Sequence, residues 1–268
     1  MTPPGRVQTA ADLRDIAEEL GRPLPAIEQD FLLVRIAAQL QADFPDQLCF
    51  KGGFVLRHVY GTVRLSLDVD ATRHQPAKNK LDSDAVGDSI RAAGKPFYRI
   101  PPLSPATNSK NSLDFDAVKF QGPISRGQVA VEVSYREGIC LEPVPAAIGP
   151  PYIERVTIPT MDPVEMLAEK YRTLCQRSRT TDLLDAALLW DGVAGPIAPR
   201  QVAELIPVKF AEGIVKGGNH ADRIRTNIEG MAATYDADIQ ARAPGAMETS
   251  GPRSSSCRGS RLYFGTEA

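Results

Sequence analysis

From residue 63 to residue 71 the chain alternates without a break. Val63, Leu65, Leu67, Val69 and Ala71 take one side, and Arg64, Ser66, Asp68 and Asp70 take the other. Period two is the pattern of a β-strand with one face on a core. A strand over 64–72 therefore carries two carboxylates on its open face, about 7 Å apart along the backbone. Two carboxylates so placed suit Mg²⁺, a hard cation that takes oxygen ligands and keeps room for waters and substrate phosphates. Two such ions can clamp the attacking and leaving oxygens of a phosphoryl transfer. The plainer alternative is a solvated strand face.

The neighbouring segments give that strand a setting. Thr9 caps a helix running to about residue 20, where Gly21, Pro23 and Pro25 interrupt it. Phe31, Leu32, Ile36 and Leu40 recur at helical spacing in a helix over 26–42. A short apolar strand, 48–51, leads into a Gly52–Gly53 turn and a helix over 54–60 that ends at Gly61. A polar helix is expected over 81–93. Further strands are expected at 97–100, 113–120, 128–135 and 152–158, separated by Gly and Pro. After residue 160 the pattern turns helical, with Asp162 capping and Pro163 in the first turn. Helices are expected over 163–177, 182–192, 199–212 and 219–235. The order, mixed α/β and then all-α, predicts an α+β chain with a mixed domain, opened by N-terminal helices, over 1–160 and a helical lobe over 161–238. The Gly-, Ser- and Pro-rich end, 239–268, reads as a disordered tail.

Composition narrows the class. Of 268 residues, 43% are hydrophobic and 24% charged, as in a soluble globular protein with a sizeable core. The net charge of −2 gives no global basic character, although 31 Lys and Arg leave room for local basic surfaces. Cys49, Cys140, Cys175 and Cys257 are scattered without CxxC spacing, which fits a reduced, cytoplasmic setting. The three histidines lack the close pairing of a zinc site. No apolar run reaches the ~20 residues of a membrane span, and the first residues have no secretion-signal core.

Three more constellations bear on chemistry. In FKGGFVLRHVYG, Gly52 and Gly53 let a triphosphate approach the backbone at a helix start. Lys51 there adds charge to that site or is a surface lysine. In VAVEVSY, Glu132 shares a face with Ser134 and is either a third metal carboxylate on a neighbouring strand or an exposed acid. Asp114 and Asp116 read as edge-strand charges. In AEKYRTLCQRSRTTDLLD, Lys170 and Arg177 are seven apart and share a helix face, and Asp182 and Asp185 open the next helix. Such cations can neutralise a triphosphate, with Arg forking to two oxygens, or can simply salt-bridge a helical hairpin.

KGGFVLRHVYG followed by RLSLDVD, and later AEK, L-x-x-R and D-x-x-D, resemble in order and spacing the AbiEii/AbiGii family of toxin nucleotidyltransferases, which includes the MenT toxins. The likeness covers about residues 30 to 195. It implies a DNA polymerase β-like nucleotidyltransferase fold, with a mixed sheet and a helical C-terminal lobe. It implies Mg²⁺ at Asp68 and Asp70, with Mn²⁺ as the other candidate ion; on the reading of the residues themselves, Glu132 is a third ligand or an activator of the acceptor hydroxyl. It further implies Ser66 near the phosphates, Lys170 in nucleotide contact and, with Asp182, in the catalytic site; the reading of the residues adds Lys51, Gly52, Gly53 and Arg177 at the nucleotide. The implied reaction moves a nucleotide from an NTP to RNA, the tRNA 3′ end in the MenT branch, and blocks translation. The implied partner is a separate antitoxin, commonly a winged-helix protein. Two positions depart from the pattern: Phe54 stands where Ser or Thr is usual, and Thr181 where Arg is usual. These departures keep open a non-catalytic, nucleotide-binding relative. LDVDAT also resembles the D-x-D-x-T opening of haloacid-dehalogenase phosphatases, with Asp68 as nucleophile. That strand should be apolar throughout before its Asp, and this one alternates.

Overall fold

The computed structural model describes residues 7–62, 64–74, 80–213, 215, 217–232 and 235. The chain runs α1 (Ala10–Glu19), α2 (Leu24–Asp43), β1 (Leu48–Lys51), α3 (Gly52–His58), β2 (Asp68–Arg73) and α4 (Ser83–Gly94). It continues with β3 (Thr107–Asn108), β4 (Ser112–Gln121), β5 (Arg126–Ser134), β6 (Val144–Ile148) and β7 (Val156–Thr160). It then becomes helical: α5 (Pro163–Gln176), α6 (Thr180–Trp190), α7 (Pro199–Glu212) and α8 (His220–Met231). The tail expected over 239–268 lies outside the described residues.

Seven strands form one mixed sheet in the order β3-β4-β5-β2-β1-β7-β6. The central strand β2 is antiparallel to β1 and parallel to β5. The fold is therefore α+β, with helices following rather than alternating with the later strands. Local chemistry sets the boundaries. Thr9 accepts from the Asp12 amide while the Asp12 side chain accepts from the Thr9 amide, a capping box that starts α1. Asp162 Oδ1 accepts from the Val164 amide at 2.8 Å and Pro163 follows, which starts α5. Helix α2 buries Ile27, Phe31, Leu32, Ile36 and Leu40 completely.

The sheet departs from the sequence reading in five places, one of them the two-residue strand β3, which it did not expect. The strand expected from residue 64 begins only at Asp68, because β1 ends opposite Asp70 and because Arg64 is drawn to Asp185. Residues 97–100 make a single bridge, Arg99 with Gln121, just before Pro101 and Pro102. Strand β6 was hidden by Pro143 and Pro145. It is the last strand of the sheet, where a missing N–H is tolerated. The strand expected over 152–158 is displaced to β7. Among the described residues no helix is long and apolar enough to cross a membrane, and Cys49, Cys140 and Cys175 are free thiols.

Buried ion pairs fasten the later helices to one another and to the segment after β5. Lys209, on α7, is fully buried. Its ammonium lies 2.5 Å from Glu165 Oε1 and 3.3 Å from Glu212 Oε2, and it donates to the Gly138 carbonyl at 2.6 Å. Glu165, also fully buried, accepts from the Cys140 and Leu141 amides. Removing one partner of a buried pair strands the other charge. Lys209→Met should therefore cost about 3 kcal/mol or more of unfolding free energy, measured by denaturant unfolding. A change below about 1 kcal/mol would show that α7 is held by its apolar contacts alone.

Candidate active site

Strand register builds an acidic row. Asp70 lies opposite Lys51 of β1 on one side and Glu132 of β5 on the other. Glu132 in turn lies opposite Asp114 of β4. Three adjacent strands thus line up Asp70, Glu132 and Asp114, with Asp68 two residues back on β2. Asp114 is not an edge charge, since β3 pairs over it at Thr107. Burial, then Asp68 and then Glu132 push the Asp70 carboxyl well above the usual carboxylate range. Burial and Asp114 raise Glu132.

Among the described residues no three His, Cys, Asp or Glu side chains form a group that could hold a metal ion. The expected set Asp68, Asp70 and Glu132 is thus not a closed cage. Crowded carboxylates in an open arrangement suit Mg²⁺, which binds through one or two carboxylates and completes its shell with waters and substrate phosphates.

Ser66 is not on the strand face expected for it. It is buried in the segment before β2, and its hydroxyl donates to Asp68 Oδ1 at 2.7 Å and to the Asp68 carbonyl at 3.2 Å. It orients Asp68. Gly52 and Gly53 form the first turn of α3 rather than a turn before it. Gly52 has φ +69°, and a Cβ there would collide with the Asp70 carboxylate. A Cβ on Gly53 would collide with the Arg64 guanidinium and lie 3.0 Å from Ser66 Oγ. Both glycines hold backbone against the acidic centre, where a side chain has no room. Phe54 is fully buried, with its ring 4.7 Å from that of His58. The core has taken the position where the resemblance led to the expectation of a hydroxyl.

The cations face this row, and most are partnered. Lys51 is neither free for phosphate nor at the surface: its ammonium donates to Glu137 and Glu169, each at 2.9 Å. Lys170 lies 3.0 Å from Asp182 Oδ1 and 2.8 Å from Asp185 Oδ2. Burial works against the Lys170 charge, but Asp185 and then Asp182 hold its pKa above the lysine norm. Arg177 forks onto Asp182 at 2.8 and 3.3 Å, yet 45% of its side chain is exposed. Asp185, fully buried, also receives Arg64 Nε at 3.0 Å.

Two clefts open onto the carboxylates. The first, about 210 Å³, is bounded by Gly52, Asp70, Glu132, Arg136, Lys170 and Arg177, among others. The second, about 570 Å³, reaches Asp68 from the side of Arg64, Leu67, Arg179, Thr181 and Met231. Asp68, Asp70, Glu132, Lys170 and Arg177 thus meet around one centre, while Lys51 is tied into its wall. Sequence reading missed Arg136, Glu137 and Arg172 in that wall. Glu137 and Arg172 are 2.8 Å apart, and the i, i+2 relation of Arg172 to Lys170 gave no sign of a shared cleft. Asp68 opens β2 instead of closing a parallel strand, which removes the geometric basis of the phosphatase alternative.

The profile of a family described as nucleotidyl transferase AbiEii toxin, type IV toxin–antitoxin system, matches residues 35–250. No curated protein matches in a sequence search. Among solved structures, MenT4, a nucleotidyltransferase toxin from Mycobacterium tuberculosis H37Rv, aligns with TM-score 0.51 at 15% identity over 88% of this chain and 99% of its own. JHP933 from Helicobacter pylori aligns with TM-score 0.50 at 13% identity, over 81% and 96%. A second H. pylori structure, named a putative nucleotidyltransferase, aligns with TM-score 0.50 at 14% identity, over 80% and 97%. These likenesses show a shared fold.

Burial raises the Asp182 carboxyl, but Lys170 and Arg177 override it and hold its pKa at about 2, below the ordinary 3.8. A depressed carboxylate adds stability above its unfolded pKa and loses it as pH falls through the folded value. Asp182→Asn should therefore cost about 2 kcal/mol near neutrality, shrinking toward zero between about pH 4 and pH 2. Denaturant unfolding of both proteins across that range checks it. A difference independent of pH would contradict the ion-pair assignment.

Proposed function

The chain belongs to the AbiEii family of nucleotidyltransferase toxins, and from that premise we propose that it moves a nucleotidyl group from an NTP to RNA, with Mg²⁺ held by Asp68 and Asp70. The observation that carries this reading is the facing of two charged surfaces. The carboxylates Asp70 and Glu132 and the cations Lys170 and Arg177 border one cleft. A metal–triphosphate complex presents both charges and fits between them.

The acceptor hydroxyl oxygen forms a bond to the α-phosphorus of the NTP. The bond from that phosphorus to the oxygen bridging to the β-phosphate breaks, and pyrophosphate leaves. The hydroxyl proton passes to Glu132, whose raised affinity for protons suits a base. Lys170 and Arg177 balance charge on the leaving pyrophosphate. Arg177, half exposed, is the cation best able to turn from Asp182 to a phosphate. Bound Mg²⁺ would supply positive charge to the attacking and leaving oxygens.

The acceptor is the 3′ end of tRNA, and the consequence is arrest of translation in the cytoplasm. A type IV toxin family implies an antitoxin, for which a winged-helix protein is the expected class. Incubation with Mg²⁺, total tRNA and each α-labelled NTP in turn tests the reading. Label should enter RNA with at least one NTP, and Asp68→Asn and Asp70→Asn should each lower the initial rate about a thousandfold or more with unfolding midpoints preserved. Folded wild-type protein that transfers no label from any NTP would sink the proposal.

A further inference from the structure

We propose that the second cleft, on the Asp68 side, is the seat of the acceptor strand's terminal nucleotide, with Arg64 and Arg179 as its phosphate contacts. This rests on the transfer reading above, which needs two substrates to meet at the aspartate pair. One cleft, bordered by Asp70, Glu132, Lys170 and Arg177, has the countercharge for a triphosphate but only about 210 Å³ of room. The other reaches Asp68 with about 570 Å³, within the size range of small-ligand sites.

The lining of this second cleft fits the end of a nucleic acid strand. Asp68 is its sole acidic residue, and two arginines border it. Arg64 is only 8% exposed. Its Nε makes an ion pair with Asp185 Oδ1 at 3.0 Å, and Nε and Nη1 are both buried without a hydrogen-bond partner among the described residues. Nη1 packs over Gly53 of α3, and the guanidinium's charge, held in the wall of the cleft, favours a phosphate there. At the rim stand the exposed Arg179 and the Ser178 and Thr181 side chains. Leu67 is 49% exposed on the same wall. An exposed leucine between a carboxylate and an arginine offers apolar contact to a base, while the arginines take the phosphate. Phosphate contacts of this kind position a strand without reading its sequence. The terminal hydroxyl then reaches past Asp68 to Asp70 and the Glu132 beside it, where the α-phosphate lies.

Arg179→Glu is a suitable probe because the side chain makes no capping hydrogen bond to α6, and an acid at a helix N-terminus is favourable, so folding is preserved. Leu67→Ala is a milder second variant. Two readouts are needed. The first is binding of a short fluorescent RNA with a free 3′ hydroxyl, followed by anisotropy without NTP. The second is binding of NTP with Mg²⁺ and without RNA. Arg179→Glu should weaken RNA binding about tenfold or more, Leu67→Ala about threefold, and NTP binding should change less than about twofold in both. Weakened NTP binding with RNA binding intact would overturn the proposal and make this cleft the nucleotide's. RNA binding that is absent in wild type, or unaltered in both variants, would overturn it too. Because neither readout needs turnover, failed label transfer with the expected binding pattern would count against the transfer reading and not against the cleft.

Discussion

Asp185 is the point on which the site's assembly depends. It is fully buried on α6 and takes Lys170 from α5 and Arg64 from the segment before β2. One carboxylate thereby joins two helices to the lead-in of the strand that carries Asp68 and Asp70. Without it, two cations would remain in a site with little water, an arrangement that costs several kcal/mol. The strand cannot begin at residue 64 for the same reason: Arg64 is committed to Asp185 and not to the sheet's open face.

A second buried network does the same for the opposite wall. Lys51 at the end of β1 meets Glu137, beyond β5, and Glu169, on α5. Glu137 takes Arg172, and Glu169 lies 3.6 Å from Lys209 of α7. Cations that look in sequence like free phosphate ligands are therefore largely spent on holding helices to sheet. In the triphosphate cleft the arginines most open to solvent are Arg177 and Arg136, whose side chains are 45% and 38% exposed. The site is rigid where it must position Asp70, and adjustable where the triphosphate's charge must be met.

Much of this was legible in sequence because its signals are local. The alternation around Asp68 and Asp70, the Thr9 and Asp162 caps and the spacing of Lys170, Arg177 and Asp182 are short-range patterns, and the structure places these residues together. Other features depend on strand register, which sequence does not encode locally. Asp114 looked like an edge charge until β4 paired beside β5 and brought it opposite Glu132. Ser66 kept the right parity for the strand face but lost it when the strand began two residues later. Lys51 sits one residue before the glycines, where either role was open. Only the folding of residues 137 and 169 against it, from far along the chain, decides its partners. Phe54 replaced an expected hydroxyl, and its burial explains the replacement by packing.

The central claim is that bond cleavage falls between the α- and β-phosphates, at the aspartate pair. Parallel reactions with α-labelled and γ-labelled forms of the active NTP measure this directly. The account predicts that the α-label enters RNA while the γ-label appears only in pyrophosphate, mole for mole. Entry of the γ-label into RNA or into the protein would mean phosphoryl rather than nucleotidyl transfer, and would contradict it.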